Sequence, residues 1–141
     1  MKIASVISRY LLGFIFGLFG LNGFLHFLPM GTPTGLAGQF MGALFLSHML
    51  AVVFAIEVIG AALLLANRYV PLALVLLGPV IVNIDLFHIF MAPAGLPLAA
   101  VVTVLWLVVA ASVRSAFAGI FQARVQPEST AAASVRSPLA A

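Results

Sequence analysis

An all-α integral membrane four-helix bundle with both termini cytoplasmic is the fold that the sequence predicts. Three observations carry that expectation. Hydrophobic residues make up 65% of the 141 and charged residues only 6%, too apolar a balance for an ordinary soluble domain. The apolar residues fall into four runs, each able to cross a hydrocarbon core that about 20 helical residues span. The six basic residues, Lys2, Arg9, Arg68, Arg114, Arg124 and Arg136, all lie on one side of those four crossings. The opposite loops, 28–47 and 91–97, contain no Lys or Arg, and the positive-inside rule then places both ends in the cytoplasm.

At this length the chain is one domain. Residues 1–121 form the transmembrane unit, with helices expected over about 6–28, 45–66, 70–91 and 97–120, and 122–141 read as a disordered cytoplasmic tail of Ala, Ser, Pro and Gln. A net charge of +3 does not point to nucleic acid, because the basic residues are scattered singly and form no stripe for a phosphate backbone. Cysteine is absent, so disulfides, thiolate metal sites and a thiol relay within this chain are excluded.

Met1–Tyr10 reads as a short basic lead to the first span. The apolar run after it is too long for a signal core, and no small-x-small cleavage site follows. Gly13, Gly17 and Gly20 share one helical face, a strip that lets another helix approach closely, and packing within the bundle is the favoured use of it. Asn22 and His26, four apart, stack on the nearly opposite face. Pro29–Gly35 is a loop by composition. Residues 36–47 either lie along the membrane interface or lengthen the second helix.

The second span carries Glu57 at its centre. Asn67-Arg68-Tyr69 forms a polar turn, and Pro71 suits the first turn of the third helix. That third helix, VPLALVLLGPVIVNIDLFHIFM, is the one the others are arranged around. It combines Gly78-Pro79 with Asn83, Asp85 and His88. Ionisable groups inside a bilayer cost a few kcal/mol each unless the protein interior meets them. Pro79 removes the donor to the Val75 carbonyl and favours a kink, and Asn83 or Glu57 is the expected replacement partner. The fourth helix contains Trp106 and no ionisable residue before Arg114.

Asn22, His26, Glu57, Asn83, Asp85 and His88 are therefore the candidate ligand-binding set, converging in one polar pocket that opens away from the cytoplasm. Each also has a plainer reading. Glu57 as a protonated acid bonded to a neighbouring helix, Asn22 and Asn83 as interhelix links, and His26 and His48 as interfacial residues all satisfy the same physics. No spacing selects haem or a metal ion, so no metal site is assigned. Serine nucleophiles, phosphate loops and zinc-peptidase patterns are missing, so catalytic residues stay unknown and enzymatic activity stays open.

With those residues in view, the chain resembles the DoxX family of small bacterial four-helix membrane proteins. The likeness covers about residues 5–118 and rests on Arg9-Tyr10-Leu11-Leu12-Gly13, Phe19-Gly20-Leu21-Asn22-Gly23-Phe24, Glu57-Val58-Ile59-Gly60 and Asn67-Arg68-Tyr69-Val70-Pro71-Leu72. Its most specific part is Pro79-x-x-x-Asn83-x-x-x-Phe87-His88; the fourth helix matches in composition alone. The resemblance implies a multi-pass protein of the bacterial cytoplasmic (inner) membrane, often linked to redox metabolism through terminal oxidases, thiosulfate–quinone oxidoreduction or oxidative-stress complexes. It implies membrane lipid and a membrane redox protein as partners, with homo-oligomerisation open and a quinone as the conceivable cofactor. The cysteine chemistry of the related vitamin K epoxide reductase bundle cannot run here. Two functions follow: a redox-linked subunit holding a quinone-like or other small lipophilic molecule, or a non-catalytic membrane scaffold. A small transporter or proton conductor is a third, weaker one.

Overall fold

The computed structural model describes residues 2–121 and 123, and among them the regular structure is entirely helical. Helix α1 runs Lys2–Leu25, α2 Gly35–Leu46, α3 Met49–Leu65, α4 Val70–Phe90 and α5 Leu96–Ser112. A 3-10 turn, Pro93–Gly95, precedes α5, and a 3-10 stretch, Arg114–Phe121, follows it. The expected tail, 122–141, lies outside the described residues apart from Ala123.

α1 starts earlier than expected, because the basic lead is itself helical. It also stops three residues short of the expected Leu28. His26 takes a left-handed conformation, φ 52°, which an α-helix cannot propagate. The second span expected over about 45–66 is α3, and residues 36–47, open between an interfacial course and a lengthening of that helix, lie in the separate helix α2 and its joint, with α2 meeting α3 at 84°. His48 is again left-handed, φ 62°, and it redirects the chain there. Asn67 and Tyr69, also at positive φ, turn α3 into α4, with Pro71 in the first turn of α4. All four left-handed non-glycine residues thus sit at helix joints. The expected fourth helix ends as an α-helix at Ser112 and tightens into the 3-10 stretch.

α1 packs on α3 and α5, and α4 packs on the same two helices from the other side. Along the α1–α3 seam, Gly13 meets Leu64 and Leu65, Gly17 meets Ala61, Gly20 meets Glu57 and Val58, and Gly23 meets Phe54. Rising numbers on α1 pair with falling numbers on α3, so the two helices are antiparallel. The glycine strip is therefore an internal contact. A Cβ on Gly20 would lie 2.9 Å from the Glu57 Cβ and 3.1 Å from the Val58 backbone nitrogen, too close for any side chain. Gly60 admits Leu77 of α4 in the same manner. The core between the helices is aliphatic: Leu12, Leu64, Leu74 and Leu77 are wholly buried, with Val109 and Ala73 beside them.

The outer faces are equally apolar. Phe14, Ile59, Val75, Val82, Val104 and Leu107 are all exposed. An exposed apolar surface that continuous is not tolerated in water and is what lipid tails cover. Three helices (α1, α4, and α5 with its preceding turn) are long and apolar enough to cross a membrane, and the bent α2–α3 pair makes a fourth if it counts as one crossing. Substituting Gly20→Val should lower stability by about 1–3 kcal/mol through overpacking. Gly42→Val, where a Cβ meets nothing within 4 Å, should cost far less. Thermal unfolding of the purified variants in detergent checks the contrast, and equal melting temperatures would refute the seam.

Candidate functional site

The six candidate residues separate into distinct local arrangements. Asn22 is buried in the last turn of α1. Its Oδ1 accepts from the Leu28 backbone N–H at 2.6 Å, and its Nδ2 donates to the Leu28 carbonyl at 3.5 Å. The side chain thereby fastens the loop that leaves the helix, with one donor and one acceptor both spent on Leu28. His26, expected beside it on a helical face, is the left-handed residue just beyond the helix end and is exposed. It is a joint and does not belong to a pocket with Asn22.

Asn83 is also exposed, and its Nδ2 donates to the Pro79 carbonyl one turn back at 2.9 Å. The expected bond to the Val75 carbonyl is not the one it makes. A residue four positions on in a helix reaches its own i−4 carbonyl without any rearrangement, so Asn83 serves the turn that starts at the proline. The polar group that arrives from outside near this break is Trp106 of α5, whose Nε1–H donates to the Leu74 carbonyl at 3.0 Å.

Asp85 and His88 share a face of α4 as their spacing requires, yet each bonds elsewhere. Asp85 Oδ2 accepts from Thr103 Oγ1 of α5 at 2.8 Å, which ties α4 to α5 inside the apolar layer. His88 Nδ1 donates to the Ala92 carbonyl at 2.8 Å, and its ring occupies the space where any side chain at Gly95 would stand. A carbonyl only accepts, so that bond needs a proton on Nδ1. Phe87, beside it, stacks on Phe40 of α2 with ring centroids 5.9 Å apart, so α2 rests on the end of α4.

Glu57 differs from the other five. It is 6% exposed and faces Gly20 across the α1–α3 seam. Its Oε2 has no hydrogen-bond partner among the described residues. A buried polar atom left in that state costs about 1–3 kcal/mol.

Two cavities of about 220 Å³ each border the helices, and none of the six candidate residues lines either. One lies at the α2–α3 elbow against Gly23, Phe24, Phe45, His48 and Phe54. The other is a groove over Gly13, Gly17 and Leu65. Asn22, Asn83, Asp85 and His88 form separate links, each to a nearby carbonyl, hydroxyl or backbone N–H, while His26 is a backbone joint and Glu57 Oε2 keeps no partner among the described residues. No group of three or more His, Asp or Glu residues able to hold a metal ion occurs among the described residues.

Sequence reasoning missed Arg9, counted only as an orientation charge. It is 7% exposed, its guanidinium donates to the Leu64 carbonyl at the end of α3, and it lies 4.3 Å over the Tyr10 ring. A cation at a helix C-terminus meets the negative end of the macrodipole, and here it shares the Leu64 carbonyl with the Asn67 backbone N–H, which donates to it at 3.2 Å. The spacing Arg9, Leu12, Phe16, Gly20 on one buried stripe was the available signal. Ser5 and Ser112 were also missed. Their hydroxyls join α1 to α5 at 2.7 Å, and two serines on different helices offer no pattern that pairs them in advance.

The fold and these links define an all-helical, multi-pass membrane protein with three to four helices able to cross the bilayer. No family model, curated protein or solved structure matches the chain. Thr103→Val should destabilise the protein by about 1–3 kcal/mol, because Asp85 Oδ2 loses its donor inside an apolar layer. Combined with Asp85→Leu, which removes the acceptor, in a double-mutant cycle, the losses should fall short of additive. Full additivity of the two melting-temperature changes would show that the bond carries nothing.

Proposed function

We propose that the chain is a DoxX-like, non-catalytic membrane module of four crossings. In this reading both ends face the cytoplasm of a bacterial inner membrane, and the apolar outer faces serve a membrane partner. The observation that carries the reading is where the polar side chains of the spans are spent. Arg9 on the Leu64 carbonyl, Thr103 on Asp85 and Trp106 on the Leu74 carbonyl all join one helix to another. Groups committed in this way fix helix register and leave little to turn over a substrate. The resemblance to DoxX proteins supplies redox metabolism as the setting, and a membrane redox protein as the partner that the module positions.

A quinone-holding subunit would gather His88, Asp85, Glu57 and His26 around one end of an elongated cavity. The cavities at hand have other linings, so the scaffold is the better supported of the two functions.

Orientation is directly measurable, since the chain has no native cysteine. Gly31→Cys should react with a membrane-impermeant maleimide in intact cells and Arg68→Cys only after permeabilisation; the reverse pattern would invert the topology. For the module itself, Asp85→Asn and His88→Asn should lower the amount of protein in the membrane, with any redox phenotype falling in proportion. A variant that accumulates normally yet loses the phenotype would overturn the scaffold reading.

A further inference from the structure

The seam that joins α1 to α3 ends, on the side away from Arg9, in the elbow cavity. Its pairs run Gly17 with Ala61, Gly20 with Glu57 and Gly23 with Phe54. Gly23 and Phe54 also line the cavity. Phe54 is therefore both a wall of that cavity and the next layer above the unpartnered Glu57 carboxyl. The Phe54 ring fills the position that a side chain at residue 23 would take, and it meets Phe24 edge to face at 6.0 Å and 72°. Phe45 adds a third ring from α2. Aromatic faces attract cations, the more strongly where water is excluded. A buried carboxyl with a free oxygen needs a donor or a positive charge.

We propose that the elbow cavity and Glu57 form one binding site for a small apolar organic cation, such as a substituted ammonium. The rings of Phe24, Phe45 and Phe54 receive its apolar groups, and Glu57 is its counter-ion once the Phe54 ring swings aside. A cavity of about 220 Å³ suits an ammonium bearing short alkyl or benzyl groups, and is smaller than common drug-sized pockets. Charge complementarity selects this class. The one titratable group in the lining is His48, and Glu57 supplies the only acid on α1, α2 or α3. On the other helix that packs against α3, Asp85 is held by Thr103 and His88 by the Ala92 carbonyl. Of the two cations on α1, Lys2 stands at its first residue, farther from the elbow, and Arg9 is bound to the Leu64 carbonyl two turns away along α3. The site does not depend on the scaffold reading, since a module with a partner can still hold a ligand.

The test is calorimetric titration of the full chain in detergent micelles with benzyltrimethylammonium, at mildly alkaline pH. The expected result is saturable binding that Glu57→Gln weakens roughly 30-fold or more, the scale for removing one partner of a buried charge pair. Arg68→Gln, in the exposed turn at the opposite end, should bind like the natural chain. Absence of saturable binding, or equal affinity in a folded Glu57→Gln variant, would overturn the proposal. Should that variant fail to fold, a hydrophobic carbodiimide applied to the natural chain decides the matter. Its modification of Glu57, located by mass spectrometry, should be slowed by the cation; a rate indifferent to the cation would refute the site.

Discussion

Every polar group carried into lipid must find its partner within the protein, and the architecture follows from that requirement. The carbonyl end of α3 is met by a guanidinium from α1, the acid of α4 by a hydroxyl from α5, and a carbonyl near the proline break by an indole. These three links join the helices in two pairs, α3 with α1 once and α4 with α5 twice. Glycine close packing supplies the α1–α3 and α3–α4 contacts. Dispersion across those close approaches, with few hydrogen bonds, is the usual source of helix association where tails and side chains are equally apolar.

Much of this was legible in the residues. The apolar runs, the isolated glycine strip and the turn at Asn67–Tyr69 follow from composition and spacing, which report the solvent that each surface meets. The lone acid Glu57 announced itself as buried. Convergence did not follow, since a side chain's depth along a helix says nothing about its rotation toward a given neighbour. His26 and His48 illustrate the limit. His26 was read as a pocket side chain and His48 as an interfacial one, whereas their backbones form the joints that end α1 and begin α3. Histidine, with Asn, is among the non-glycine residues enriched in left-handed positions, so the alternative was open in principle. Nothing in a neighbouring residue required it.

Arg9 shows the opposite error. A basic residue near the first turns of a first span is normally counted toward orientation, and that count can be correct while the same side chain is buried. Its long stem lets the charge travel from a helical backbone in the apolar layer to a carbonyl at the layer's edge. Orientation and packing are thus served by one group. The 84° elbow resolves a different ambiguity. A left-handed residue at His48 turns α2 across the ends of its neighbours, with Leu46 78% exposed beside it. Residues 36–47 therefore do not continue the second crossing in a straight line.

The notched face of α1 has a consequence for biogenesis. Four glycines in one helix weaken its intrinsic preference by roughly 0.5–1 kcal/mol apiece relative to alanine, and the notches they leave are filled from α3, by Leu64, Leu65, Ala61, Glu57, Val58 and Phe54. α1 is synthesised before those residues are. Acyl chains that reach its hollow face before α3 pack loosely into gaps cut for a specific helix. The arrival of α3 displaces them, so the first helix to enter the membrane acquires its final neighbours only after more than half of the described chain has been synthesised.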